Sequence, residues 1–398
     1  MTDVRSLVLL AALAVPTFAQ STWIVDAAGG GHFTDLPAAV TAAAPGDTLI
    51  VRAGGYTAPT ITRGLIVRGS PSVRVTSGRL AIRGLPASEF CSIFSMAMEL
   101  GFDVESCPGA VHVDSCGISG PGRHVQFGSS GYLFGSALIF DSRQVILRNC
   151  AVWTTSGFAA ALDAYSSSML LVRCSISGRP PSGGSWNSSS TPGTPGLFAS
   201  DSLVSLEGCT IQGGGDGFYN LGHWGTIPLP GPAVFGGRHN EFRIVGSTPV
   251  SVTFLGASQS PLVTTTGGRI LYDTRTGFGG YCSSYVANCT STTFDFASIT
   301  QYQTSLDLAI TATTGATSQF LLSSLPSAPV DLPGLGLSWL DPATLAPVGG
   351  PQIHQAARRT LSLPILAPLP AGLPITVQAA VFRAGAITLS EPSTLILR

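Results

Sequence analysis

Short runs of alternating apolar and polar residues cover much of this chain, and one of them is written four times. It reads Val111-His112-Val113-Asp114-Ser115-Cys116-Gly117-Ile118, then Val145-Ile146-Leu147-Arg148-Asn149-Cys150-Ala151-Val152. It returns as Met169-Leu170-Leu171-Val172-Arg173-Cys174-Ser175-Ile176 and as Val204-Ser205-Leu206-Glu207-Gly208-Cys209-Thr210-Ile211. Alternation with period two predicts strands. Recurrence of the cysteine after 34, 24 and 35 residues predicts a stacked repeat. A propeller needs a period of about 40–50 residues, so the 24-residue interval argues against one.

The same pattern predicts a strand over 22–26, then a short helix capped by Asp35, with Pro37 in its first turn and 38–44 as its body. Pro45-Gly46 ends it, and a strand over 47–51 follows. Further strands are expected at 65–69, 80–84, 242–245 and 250–252. Residues 102–104, 138–140 and 203 supply partners within the same turns. From about Tyr302 the cysteine phrase stops. Runs such as Leu306/Leu308/Ile310, Leu335/Leu337/Trp339 and Ile375/Val377/Ala379/Val381 are separated by Gly- and Pro-rich turns. They predict a small β-sandwich over 302–398. Leu7 to Val15, preceded by Arg5 and followed by Thr17-Phe18-Ala19, reads as a signal peptide over 1–19. The domain order is therefore signal peptide, a repeat domain over 20–295, and the sandwich.

The run Gly31-His32-Phe33, Leu36-Pro37-Ala38-Ala39-Val40, Ala44-Pro45-Gly46-Asp47-Thr48-Leu49-Ile50-Val51 and Gly55-Tyr56 resembles the opening of right-handed parallel β-helix proteins of the pectin-lyase-like type. The resemblance implies an all-β solenoid whose open end is closed by the short helix, in a secreted bacterial protein. The catalytic phrases of such families do not carry over. The paired Asp and Arg of pectin methylesterase-like chains have no counterpart. Gly215-Asp216-Gly217 is the only trace of a polygalacturonase-like pattern, and a lyase base of Lys type is excluded because the chain has no Lys.

Composition narrows the function further. Charged residues are 10% and the net charge is −1, with no basic block, so nucleic-acid binding has no electrostatic basis. The fifteen Asp and six Glu are scattered. No acidic cluster supports Ca²⁺, and no cofactor is implied. No later segment is apolar enough to span a membrane, so export to the cell exterior or surface is expected.

Export permits disulfides. Cys282 and Cys289, bracketing a polar stretch, are the expected pair. Cys116, Cys150, Cys174 and Cys209 are expected to stack about 4.8 Å apart. They form either a column of buried thiols or disulfides between coils. The redox state of Cys91 and Cys107 is open too.

Two groups of residues carry candidate chemistry. Between the apolar positions of the phrase, His112, Asp114 and Arg148 are expected to face outward on adjacent coils. Arg there could neutralise a uronic acid while His or Asp takes its proton. A surface ion pair is the alternative. Ile146, Leu170 and Val172 beside them form an outward apolar patch that calls for a cover. After the repeat cysteines, Trp153, Trp186, His223 and Trp224 are expected where loops leave the solenoid. They would serve as a ledge for sugar rings or as loop packing. The expected function is a non-catalytic extracellular protein binding polysaccharide or a surface glycan. A polysaccharide lyase or glycoside hydrolase acting on an acidic polysaccharide is the alternative, and a purely structural surface module is a third reading.

Overall fold

A computed structural model describes residues 20–397 apart from 128–129, 156–158, 179–193, 214–215, 221–225, 231–233, 237–238, 246–261, 265–267, 274–288, 293, 303–304, 325 and 366–373. The chain is all-β, with one helix among the described residues. It divides into two compact units at Thr292/Thr293.

Among the described residues of the first unit, three parallel sheets of eleven, seven and eight strands are built by passing from one to the next in order. Thr48–Val51, Gly54–Thr57 and Thr60–Ile61 open the cycle; Ile66–Arg68, Val73–Ser77 and Leu80–Arg83 repeat it. Neighbours within a sheet therefore come from successive passages, an arrangement compatible with a β-helix. Each cysteine phrase spans a corner. Ala110–Asp114 lies in the eleven-stranded sheet and Gly117–Gly120 in the seven-stranded sheet. Between them the residue before each cysteine takes positive φ: Ser115, Asn149, Arg173 and Gly208.

Val111, Val113, Cys116 and Ile118 all enter the core, as do their equivalents in the next three passages. The eight-stranded sheet adds Ile61, Ile82, Val104, Ile139, Ala164 and Ala199 in register. Full burial of a Val, Leu, Ile or Met side chain stabilises by about 1.5–3 kcal/mol, and every passage of the stack buries several.

Two corners carry different ladders. At the cysteine corner, Sγ of Cys150 lies 3.2 Å from the carbonyl of Arg148 and 3.4 Å from that of Val113. At the corner between the eight- and eleven-stranded sheets the column reads Cys107, Ser142, Ser167, Ser202, Asn240. The N–H groups of Cys107, Ser142 and Ser167 each donate to the next hydroxyl at 3.1 Å. Asn240 Oδ1 accepts from Ser202 N–H at 3.4 Å. Buried backbone donors at a corner outside the sheets must find partners, and this column supplies them. Cys91, Cys107, Cys116, Cys150, Cys174 and Cys209 are all free and buried.

The helix is Leu36–Ala42. Asp35 caps it in extended conformation, accepting from Leu36 N–H, and Leu36, Ala39 and Val40 are buried. Residue 203, expected in a partner strand, belongs to Leu203–Glu207 of the phrase itself; the partner is Leu197–Ser200. The insertion that lengthens the first cysteine interval is an antiparallel hairpin, Arg123–Phe127 with Ser130–Phe134. The expected strand at 250–252 lies outside the described residues.

The second unit is antiparallel. Its described residues form a three-stranded sheet, a five-stranded sheet and a two-stranded ribbon. Its own core is built on Leu308, Ile310, Phe320, Val377, Ala379 and Val381.

Candidate functional site

His112 and Asp114 stand on Ala110–Asp114, and Arg148 ends the neighbouring strand Val145–Arg148, with Asp114 and Arg148 in register. All three face away from the core formed by Val111, Val113 and Leu147. The expectation that this side is open to substrate is corrected by burial: His112 is 0% exposed, Asp114 1% and Arg148 7%. The physical reason is in the same columns. Ile66, Phe94, Ile146, Leu170 and Val172 share that side and are buried with them. An apolar strip of this extent is stable only out of water.

The chemistry of the trio follows from that burial. Asp114 accepts from the Ser115 hydroxyl at 2.7 Å and from the Asn149 amide at 3.1 Å. Neither ring nitrogen of His112 has a partner. Burial pushes its pKa down to about 3, against the opposing pull of the Asp114 charge. A neutral imidazole of that basicity, shut away from solvent, is a poor general base near neutral pH.

Trp153 is placed differently from the expected loop exit. It lies within the strand Ala151–Thr154 of the seven-stranded sheet and is 42% exposed. The segments after the repeat cysteines continue as strands, so loops leave only after that sheet. The far edge of the indole, Cη2, sits 3.5 Å from where a Cβ on Gly117 would stand. The indole therefore runs along the sheet toward Gly117. Register puts Trp153 between Ser119 and Ser177, with Gln212 next in the column. Trp186, His223 and Trp224 lie outside the described residues.

A charged group that the alternation alone does not announce sits on the eight-stranded sheet. Arg79 donates to both oxygens of Asp103, at 2.7 Å at the closest, and to the carbonyls of Leu100, Pro121, Gly135 and Ser136. Arg123, at the start of the hairpin, reaches Asp103 at 3.0 Å and also bonds Glu105. Two strands along the same column, Asp163 accepts from Gly135 N–H. Burial pushes the Asp163 pKa up to about 7, with Gly135 and Arg79 pulling the other way. Gly135 is required here, because a Cβ would stand 1.8 Å from the carbonyl of Ala160. Asp103 was legible as an outward carboxylate between Phe102 and Val104; its guanidinium partners, 24 residues before and 20 after it, were not. The group's many backbone partners mark it as a clamp holding turns and hairpin to the sheet.

Cys289 is disulfide-bonded, and Cys282 lies outside the described residues. Among the described residues no three His, Cys, Asp or Glu side chains gather as a metal site, and no helix is long and apolar enough to cross a membrane. No protein-family model and no curated protein matches this chain.

Proposed function

We propose that the protein is an exported right-handed parallel β-helix of the pectin-lyase-like type, followed by a β-sandwich, and that it binds extracellular polysaccharide without cleaving it. The observation that carries the reading is a contrast. The acid–base trio is buried with an orphaned imidazole, while Trp153 lies exposed along a regular sheet. Rigid strands hold an aromatic face at little entropic cost, which suits the C–H faces of sugar rings. Removal of residues 1–19 would leave Gln20 as the mature N-terminus, and Cys282 is the proposed partner of Cys289.

The test is co-sedimentation of the full mature chain with insoluble cell-wall polysaccharide, with reducing and unsaturated sugars assayed in the supernatant. Binding without sugar release is expected. Sugar release abolished by Arg148→Ala would establish the lyase or hydrolase reading instead.

A further inference from the structure

Four successive strands of the seven-stranded sheet carry no ionisable side chain: Gly117–Gly120, Ala151–Thr154, Ser175–Ser177 and Thr210–Gln212. Ile118, Val152, Ile176 and Ile211 enter the core, so the alternate positions face the other way. Two columns run there across the strands. One is Gly117, Ala151, Ser175, Thr210; the other is Ser119, Trp153, Ser177, Gln212. Ala151, Trp153, Ser175 and Thr210 are exposed, and the remaining four are half-buried. Toward the preceding passages this neutral field stops at an ion pair, Arg74 with Glu99 at 2.5 Å.

We propose that this face binds a neutral glycan laid across the strands, with Trp153 stacking on a sugar ring and Ser119, Ser175, Ser177, Thr210 and Gln212 hydrogen-bonding its hydroxyls. The inference rests on the polysaccharide-binding reading and adds the class of polysaccharide. Three observations support it. The indole runs along the sheet, with its far edge beside Gly117. Its neighbours in both columns are hydroxyls, an amide and small residues, spaced about 4.8 Å apart across strands. Those columns hold no cation to offset the desolvation of a uronic carboxylate. An acidic polymer would therefore lose hydration there without gaining a partner.

The experiment is affinity electrophoresis of the full mature chain. The gels contain galactomannan, xyloglucan or soluble starch as neutral polymers, and polygalacturonate or alginate as acidic ones, each at low and high salt. Retardation by at least one neutral polymer is expected, unchanged by salt. Trp153→Ala should weaken it at least tenfold and Ser177→Asp severalfold. Trp153→Phe should keep part of it, and Arg74→Ala should leave it unchanged. Thermal melts establish that each variant is folded. Retardation by acidic polymers alone, lost in salt, overturns the neutral class while leaving polysaccharide binding in place. Neutral retardation that survives Trp153→Ala in a folded protein overturns the site. No retardation by any polymer removes both readings.

Discussion

The backbone N–H of Cys174 donates to Sγ of Cys209, one passage further along the stack, at 3.4 Å. Sγ of Cys209 in turn lies 3.3 Å from the carbonyl of Leu171 and 3.5 Å from that of Glu207. At another corner Ser167 N–H donates to Ser202 Oγ at 3.1 Å, and that hydroxyl donates to the carbonyl of Ser200 at 2.8 Å. Sulfur and oxygen thus occupy equivalent positions in two ladders. Cys209→Ser is expected to cost no more than about 1 kcal/mol, because a hydroxyl can make the same bonds. Cys209→Leu should cost about 1–3 kcal/mol through overpacking. Urea denaturation of the two variants separates bonding from volume.

The six free thiols should resist modification in the folded protein. All are buried, and burial pushes the Cys91 thiol up to about 12. The thiolate is the reactive form. Iodoacetamide at pH 8 is expected to label none of the six in native protein and all of them after unfolding in guanidinium. Rapid labelling of any of them without denaturant would show that its corner opens.

His112 is expected to be a stability liability in acid. Its folded pKa, about 3, lies below the ordinary 6.5. The unfolded chain therefore takes up a proton that the folded chain refuses, and stability is lost as pH falls from about 6.5 toward 3. His112→Leu removes two unpartnered ring nitrogens. It should be at least as stable as the native chain at pH 7, by roughly 0–2 kcal/mol, with a shallower loss in acid. Melting temperatures from pH 3 to 8 check both points; a less stable variant at pH 7 would mean the imidazole has a partner.

Asp163 acts with the opposite sign. Its folded pKa of about 7 lies above the usual 3.8. Its contribution is therefore complete below pH 3.8 and lost as pH rises through about 7. Asp163→Asn keeps an acceptor for Gly135 N–H and removes the titration. The stability advantage of the variant should grow between pH 4 and 7 and level off above. A constant difference across that window would refute the shifted carboxyl.

The exposed indole should be separable from the fold. Trp153 is 42% exposed, so Trp153→Ala is expected to lower stability by only about 1 kcal/mol, within the range of ordinary substitutions. A cooperative thermal melt close to that of the native chain is the outcome to look for. Collapse of the fold would place the ring in the core of the sheet packing.

Much of the fold could be read from alternation because a parallel stack buries the same positions at every passage. Val111, Val113, Cys116 and Ile118 are core residues in the phrase and core residues in the structure. The cap of Asp35 on Leu36–Ala42 was equally local. The division of each phrase between two sheets was less visible, since a corner at Ser115 or Arg173 needs a positive φ that neither residue announces. The serine column was missed because hydroxyls spaced a passage apart resemble surface serines until the turns are stacked.

The candidate site was less legible. Alternation gives the side of a strand, not what lies over that side. The outward patch of Ile146, Leu170 and Val172 calls for a cover and is buried, but the same pattern does not show that His112, Asp114 and Arg148 are buried with it. The Arg79–Asp103–Arg123 clamp joins residues from three separate turns, and no local pattern relates them.

By itself, the order of residues determined the all-β character, the parallel repeat, the inward and outward columns and the short helix after Asp35. Each depends on period-two burial or on groups a few residues apart. Tertiary structure alone decided that His112, Asp114 and Arg148 are buried with the apolar patch beside them, that Trp153 is exposed, and which charges meet. Those outcomes depend on distances between passages of the chain, where solvent exclusion and ion pairing act through space.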